Sequence, residues 1–342
     1  MKNILIKTKS TIQETLVKLQ SSSQKCLIVV NDQNFLLGTI NDGDIRRAIL
    51  KNAKLNFKIA KYYRKKCYFI KNDQLSKINT AEKLKKLDIN LIPIVDRNMK
   101  VINYISGSIK KQKLSFKNNK KFETIIMAGG LGSRLKPYTN ILPKPLLPFR
   151  NKTIIENVIS KFQDYGLNNF IVSLNYKNIL IKSFFKELNP KYKVSFLEEN
   201  KPLGTAGVLF KLKNKNKRYI ISNCDVIFDV DYNDLINFHE NKKFDITIVA
   251  SVQRDRIPYG VCKIQNNQLQ NIIEKPEKNY LANTGLYLVK SKVFKLIKTN
   301  ENISFVDLIN RALSKKMNIG IYPVASNSWL DLGQSIDFIR KN

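Results

Sequence analysis

The chain has 342 residues, 43% of them hydrophobic, and a formal charge of +33 at pH 7. At roughly 100–200 residues per domain this length predicts two domains, each able to bury its own core, and no apolar run approaches the ~20 residues of a membrane span. The charge excess is spread evenly, +17 before residue 118 and +16 from there on; it describes a lysine-rich surface with no nucleic-acid footprint, and its field favours phosphorylated small substrates. Residues Met1–Ser10 carry lysines but neither an apolar stretch nor the small-residue cleavage site of a secretory signal. Cys26, Cys67, Cys224 and Cys262 are scattered without a C-x-x-C pair. That pattern predicts neither a disulfide framework nor a zinc site, and fits the cytoplasm.

The first ~115 residues read as two copies of one unit. In the first, an amphipathic helix over Thr11–Ser21 leads to a strand over Cys26–Val30, a polar turn at Asn31–Asn34, a strand "FLLGTI" and a helix opened by "NDGDIRRAIL". The second, from Thr80 to Ile109, repeats helix, strand, turn and strand in "TAEKLKKLDINLIPIVDRNMKVINYISGSI". This tandem resembles a CBS-domain pair, a nucleotide-sensing module, and "GTINDGD" comes close to the family's G-x-[ST]-x-x-D. The resemblance implies contacts to an adenine nucleotide from Thr39 and Asp44, and assembly as a homodimer. Asp42 and Asp44 at a helix start serve equally well as caps, and the second copy lacks the matching Gly and Asp.

Lys110–Glu123 is rich in Lys and Asn and has no periodicity, so it reads as a linker between a domain at 1–117 and another at 118–342. Beyond it, apolar runs at 124–128, 170–174, 193–197, 219–222, 246–252 and 284–289 alternate with helical stretches at 153–164, 178–188, 205–212 and 232–241. The alternation predicts an α/β fold, a mainly parallel sheet with helices on both faces.

The stretch "TIIMAGGLGSRLKPYTNILPKPLLPF" turns a buried strand into a Gly-rich loop. Ala128, Gly129, Gly130 and Gly132 allow backbone N–H groups to approach a polyphosphate. The third glycine of G-x-G-x-x-G is missing, and no Gly-Lys-[Ser/Thr] follows, so neither the dinucleotide fingerprint nor the P-loop is present. Arg134 offers a planar fork for β and γ oxygens, and Lys144, stiffened by prolines, a point charge for an α-phosphate.

These residues resemble the signature of sugar-1-phosphate nucleotidyltransferases, and further stretches match that family in order over about residues 123–342. The resemblance implies a Rossmann-like (GT-A-like) fold, with Glu199, Gly204 and Thr205 of "EENKPLGTAG" at the nucleotide. It implies Asp225 and Asp331, in "ISNCDVIFD" and "WLDLG", as magnesium ligands, and Gly260, Glu274, Lys275 and Asn283 around the sugar phosphate. Asp229 and Asp231 read as caps of the helix beginning near Asn233, and His239 as structural. The implied reaction joins a nucleoside triphosphate and a sugar 1-phosphate and releases pyrophosphate, with Arg134, Lys144 and Asp225 catalytic.

A Gln commonly stands at the position of Glu199 in uridylyl- and thymidylyltransferases of the family. A carboxylate only accepts hydrogen bonds, which suits N1–H and N2–H₂ of guanine and repels O4 of uracil; GTP is therefore expected, with UTP or dTTP the alternative. A tandem of this kind ahead of such a domain is similar to bacterial glucosamine-1-phosphate guanylyltransferases of legionaminic acid biosynthesis, which implies that amino sugar as acceptor. The chain ends eleven residues after Asp331, so no fused acetyltransferase repeat is expected. A CBS sensor without catalysis is the rival reading. It needs a degraded site, whereas Arg134, Lys144, Asp225, Lys275 and Asp331 are all present.

Overall fold

The computed structural model describes residues 4–22, 26–51, 53–77, 80–87, 89–106, 121–212 and 217–333. Cα proximity divides the chain into two compact units, Met1–Gln112 with Pro323–Asn327, and Lys113–Tyr322 with Ser328–Asn342. Of the linker expected at Lys110–Glu123, residues 110–120 lie outside the described residues, and Phe122 and Glu123 already belong to a strand.

The first unit runs β1 (Leu5–Lys7), α1 (Ile12–Ser21), β2 (Cys26–Val30), β3 (Leu36–Asn41), α2 (Asp42–Leu50), β4 (Ile70–Lys71), α3 (Thr80–Lys86), β5 (Leu91–Val95) and β6 (Val101–Ser106). It holds two three-stranded sheets of the same order, β1-β2-β3 and β4-β5-β6. In each the first pair is parallel and the second antiparallel, with a bulge before the last paired residue of the central strand. β2 and β5 are buried on both faces, which is why both read as unbroken apolar runs.

The turns repeat as well. Asn31 Oδ1 accepts from the Gln33 and Phe35 N–H groups (3.0 and 2.9 Å), as Asp96 Oδ1 does from Asn98 and Lys100 (2.9 and 2.8 Å). Asn34 and Met99 both take a left-handed φ. Leu36 N–H donates to Met99 O and Val101 N–H to Asn34 O (2.9 and 3.0 Å). These reciprocal bonds join the two copies as halves of one internal repeat.

The second unit runs β7 (Phe122–Met127), α4 (Tyr138–Ile141), β8 (Pro148–Phe149), β9 (Lys152–Thr153), α5 (Ile154–Gln163), β10 (Asn169–Leu174), α6 (Asn178–Leu188) and β11 (Lys193–Glu198). It continues through β12 (Arg218–Asn223), β13 (Val226–Phe228), α7 (Tyr232–Asn241), β14 (Ile246–Arg256), β15 (Val261–Gln265), β16 (Gln268–Ile273), β17 (Glu277–Lys290), α8 (Phe305–Ser314), β18 (Ile319–Val324) and β19 (Trp329–Asp331). The central sheet has seven strands in the order β11-β10-β7-β12-β17-β14-β18. β11, β10, β7 and β12 run parallel to one another, while β17 is antiparallel to both β12 and β14. The sheet is thus mixed and rich in parallel pairs.

Alternate residues of the strands feed two cores. On one face Ile125, Tyr219, Ile221, Tyr287 and Val289 pack with Phe294, Phe305 and Leu308. On the other, Phe162 of α5 meets Phe170 of β10 and Tyr232 of α7 at ring-centroid distances of 6.3 and 4.8 Å. α5 starts on a capping box, Thr153 with Glu156. His239 of α7 is fully buried, its Nδ1 paired with the Thr247 hydroxyl at 2.8 Å; burial and the Lys290 and Arg218 charges lower its pKa to about 4. It is a neutral core residue, as the sequence suggested. No helix among the described residues is long and apolar enough to cross a membrane.

The helix expected over 205–212 is instead a 3-10 helix, Gly207–Leu212. The segment before it is fixed by pairing with another loop: Ala206 N–H donates to Ile303 O and Ile303 N–H to Leu203 O, each 3.0 Å. Gly204 turns at φ +75, where a Cβ would come within 2.5 Å of the Ile303 carbonyl oxygen. Gly207 lies against the Glu301 carbonyl, with no room for a Cβ. Gly207→Ala is therefore expected to destabilise the fold by about 1–3 kcal/mol, read from urea midpoints at unchanged m-value. A midpoint equal to that of the parent would show that this loop is free to move away from residues 301–303.

Candidate active site

In a parallel sheet the carboxyl ends of neighbouring strands open on one crevice. β7 ends at Met127, level with Ser173 of β10 and Asn223 of β12, and Leu174 is level with Glu198 of β11. The residues that follow, Ala128, Asn175, Glu199 and Asp225, are thereby gathered at one rim.

The loop after β7 is held from below. Ala128 is buried and its N–H donates to Ser173 O at 3.1 Å. Gly129 lies beside Asn175, and a Cβ on Gly130 would meet open space. Gly132 takes φ +64, and a Cβ there would stand 2.8 Å from the Thr139 methyl and 3.1 Å from Lys144 Cβ. Thr139 returns a hydrogen bond to Gly132 O at 3.0 Å. The 3-10 turn Ser133–Leu135 then exposes Arg134 and buries Leu135.

Leu135 joins Leu147, Phe149, Ile154 and Leu332 in one apolar cluster. The glycine loop, the lysine loop and the chain near its last described residues therefore rest on a common floor. β13 pairs antiparallel with β19, setting Val226 opposite Asp331, and Leu332 N–H donates to Asp225 O at 2.8 Å. The result is a convergence at Gly333. The place its missing Cβ would take lies 2.5 Å from Asp225 Oδ2, 2.8 Å from Asp331 Oδ1 and 3.0 Å from Lys144 Nζ. Lys144 Nζ is ion-paired with Asp225 Oδ2, and both side chains are largely buried. Burial and the Asp225 charge push the Asp331 carboxyl above the usual carboxylate range, while the Gly333 N–H, Lys144 and Arg134 pull it down. Two carboxylates brought side by side against Gly333 suit a cation such as magnesium, which takes one or two carboxylates and fills its remaining positions with phosphate or water. Among the described residues no group of three or more His, Cys, Asp or Glu side chains could hold a metal, so phosphate or water would complete the shell.

Glu199 is 9% exposed. Its Oε2 accepts from Leu203 N–H at 3.0 Å, its Oε1 lies 3.5 Å from the Cβ position of Gly129, and its carbonyl accepts from Asn175 Nδ2 at 3.3 Å. Burial raises its carboxyl above the ordinary range, against the lowering effect of the Leu203 N–H and the Lys211 charge. The glycine of "PLGTAG" and the Thr205 hydroxyl have structural work here: Thr205 Oγ1 accepts from Phe305 N–H at 2.8 Å, in the first turn of α8.

Gly260, Glu274 and Lys275 form a second group at the base of the exposed hairpin β15–β16. A Cβ on Gly260 would stand 3.1 Å from Glu274 Oε2, Lys275 N–H donates to Tyr259 O at 3.2 Å, and the Lys275 ammonium lies 3.7 Å from Glu274 Oε1. Asn283 sits on β17, its Oδ1 accepting from Gly285 N–H at 3.3 Å, and Asn223 fills the space beside Gly285. Asp231 is the cap of α7, accepting from the Asn233 and Asp234 N–H groups at 3.1 and 3.4 Å. In the first unit Asp44 completes a capping box with Asn41 and is ion-paired with Arg47 and Arg64; Thr39 forms a backbone bridge to Arg64. Sequence reading missed Asn175, Asn223 and Gly333. The first two are detectable as polar residues at or just past the ends of apolar strands, the third as a glycine two residues after Asp331.

An α/β sheet with a glycine loop, a paired Lys and Asp, and a second Asp at its carboxyl rim defines a class of nucleotide-handling domain. A family model described as nucleotidyl transferase matches residues 123–342. Mannose-1-phosphate guanyltransferases of Pichia angusta and Yarrowia lipolytica are 31% and 30% identical over 230 residues, 63% of this chain and 62% and 61% of theirs. The chain thus spans less than two thirds of these curated relatives. Among solved structures, a Bacillus anthracis protein named for glucose-1-phosphate thymidylyltransferase activity, in complex with a sucrose, is 26% identical with a TM-score of 0.52, covering 65% of this chain and 94% of that one. HddC from Yersinia pseudotuberculosis is also 26% identical, with a TM-score of 0.50, over 64% of this chain and 97% of that one. The chain belongs to the nucleotidyl transferase family.

The raised pKa of Glu199 has a sign that stability can read. A carboxyl whose folded-state pKa lies above the unfolded value, here 4.5, holds its proton more tightly when folded, so ionising it costs stability as the pH rises past that value. Glu199→Gln keeps an acceptor oxygen for Leu203 and removes that cost. It is expected to have the higher urea midpoint near about pH 8, with the difference closing toward about pH 4. A difference that does not vary with pH would remove the ionisation cost from the account.

Proposed function

We propose that the protein transfers a guanylyl group from GTP to a sugar 1-phosphate, forming a nucleoside diphosphate sugar and releasing pyrophosphate. The observation that carries this reading is the convergence of Lys144, Asp225 and Asp331 around Gly333, beside the glycine loop. The sugar phosphate already carries its nucleophilic oxygen, so no general base is needed. The protein's part is to align that oxygen with the α-phosphorus and to neutralise charge. Backbone N–H groups of Gly129–Gly132 would cradle the phosphates, with Arg134 exposed toward the leaving pyrophosphate and Lys144 beside the α-phosphate. Lys275, with Gly260, Glu274 and Asn283, would take the sugar phosphate. Asp225 and Asp331 would hold magnesium, which when bound supplies positive charge to the α- and β-phosphate oxygens.

The base is read at Glu199. Its carboxylate has acceptor capacity left after the Leu203 bond, enough for N1–H and N2–H₂ of guanine. The guanyltransferase names of the curated relatives support the same base, and the thymidylyltransferase name of one structural relative supports the alternative. For the acceptor, those curated names support mannose 1-phosphate and the tandem repeat supports glucosamine 1-phosphate. A pyrophosphate-release assay crossing GTP, UTP, dTTP, CTP and ATP with mannose, glucosamine and glucose 1-phosphates decides both. Release is expected with GTP and magnesium, and is expected to be lost in Asp225→Asn at an unchanged circular dichroism spectrum. Release with UTP or dTTP but not GTP would sink the Glu199 assignment.

We assign the first unit to regulation, as a CBS-type pair in a homodimeric cytoplasmic enzyme. Its support is the two-fold internal repeat with reciprocal backbone bonds. AMP, which lacks the β and γ phosphates of a substrate, is expected to bind the full chain in equilibrium dialysis against saturating GTP, with sedimentation reporting the dimer. Absence of AMP binding would reduce the repeat to a scaffold.

A further inference from the structure

We propose that Lys144 is a stand-in cation. Its ammonium holds Asp225 Oδ2 until a divalent ion arrives, and metal entry releases it to the nucleotide phosphate. This inference rests on the reading of Asp225 and Asp331 as the metal carboxylates. Lys144 Nζ is paired with Asp225 Oδ2, the side-chain oxygen nearest the position a Cβ on Gly333 would take. All three polar atoms fall within 3.0 Å of that position. An ammonium and a metal ion cannot both hold Asp225 Oδ2, because each needs the oxygen's lone pairs and the two repel one another. Without either, two partly buried carboxylates would face each other uncompensated. Lys144 therefore protects the empty site and must leave it for the metal to enter.

Two devices favour the exchange. Pro143 and Pro145 flank Lys144, both buried, so the backbone stays fixed and only the side chain has to swing. Lys144 Cβ packs 3.1 Å from the Cβ position of Gly132, which puts the root of the side chain beneath the glycine loop. From one anchored root the ammonium can serve either the carboxylate or a phosphate held by that loop. Metal and nucleotide binding are thereby coupled through a single charge, the metal freeing the lysine that the phosphate then engages.

The test is Mn²⁺ binding to the full chain without nucleotide, followed by calorimetry and by the spin-resonance signal of free Mn²⁺. Lys144→Met and Lys144→Gln are expected to bind Mn²⁺ at least about tenfold more tightly than the parent, because the competing cation is gone. Lys144→Arg keeps a competitor and is expected to stay within about twofold of the parent. Lys315→Ala, at an exposed position, removes one charge elsewhere and is also expected to stay within about twofold, which separates local competition from the general field. In metal-free buffer Lys144→Met should melt below the parent and recover more on adding Mn²⁺; Lys144→Gln repeats the comparison should the Met variant fold poorly. Equal Mn²⁺ affinity in parent, Met and Gln variants overturns the proposal, as does no Mn²⁺ binding in any of them. In either case magnesium-dependent pyrophosphate release by the parent would leave the proposed function standing. Loss of that release with every triphosphate would remove the proposed function itself.

Discussion

The Leu332 N–H donates to the Asp225 carbonyl (2.8 Å), and that backbone bond continues the antiparallel pair β13–β19 on which the candidate site depends. Without it Asp225, at the end of an internal strand, and Asp331, over a hundred residues later in the chain, have no reason to meet. Two like charges brought this close oppose the pairing that joins them; burial first, and then the Asp225 charge, push the Asp331 carboxyl above its usual range. What holds the pair together is apolar: Leu332 is buried with Leu135, Leu147, Phe149 and Ile154. Hydrophobic burial directly below the carboxylates offsets electrostatic repulsion within the site. The cluster also makes the glycine loop, the lysine loop and β19 mutually dependent, because each contributes a side chain to the same floor.

The sheet does the remaining positioning. Four parallel neighbours bring their carboxyl ends to one edge, so the residues just past β7, β10, β11 and β12 face a shared crevice at no further conformational cost. β17 and β14 run antiparallel beyond β12 and carry the hairpin β15–β16 outward. Lys275 sits at the base of that hairpin in a left-handed conformation, φ 46. On the proposed roles, phosphate-binding and sugar-binding groups would be carried by different structural parts: the first by the parallel edge, the second by the antiparallel extension.

Much of this was legible in the residues because local chemistry wrote it there. β2 and β5 showed as unbroken apolar runs since both their faces are buried, and the two hairpin turns showed because Asn31 and Asp96 each organise the next four residues in the same way. The capping role of Asp231 and the core role of His239 followed from their places on α7. What the residues did not disclose were contacts made at long sequence separation. Residues 205–212 carry helix-forming side chains, yet the loop at 301–303 holds the preceding turn and leaves only a 3-10 helix. The glycines there, which read as nucleotide-facing, are also required by approaching carbonyls. Gly333 showed only as a glycine two residues after Asp331; that side chains from three separate segments close around it and leave no room for a Cβ is a long-range fact. In the first unit the same limit applies: Asp44 was legible as a cap, but not its pairing with Arg64, twenty residues on.

Local charge balance explains why the site needs more than its own residues. Arg134 and Lys144 match Asp225 and Asp331 one for one, so the empty site is formally neutral within a chain of charge +33. A triphosphate at the glycine loop would bring more negative charge than the two cations can match, and Lys144 is already paired with Asp225. On the proposed reading, a divalent ion held by the carboxylates would change both sides of that balance at once: it would satisfy Asp225 and Asp331 and release Lys144 to the phosphates. A lone strong ion pair at this position would be poor catalytic design, because it would hold the one buried ammonium away from the reacting group. As one state of an exchange it becomes useful, since the charge needed at the α-phosphate is stored a side-chain swing away and is delivered only when the metal that must accompany the nucleotide is present.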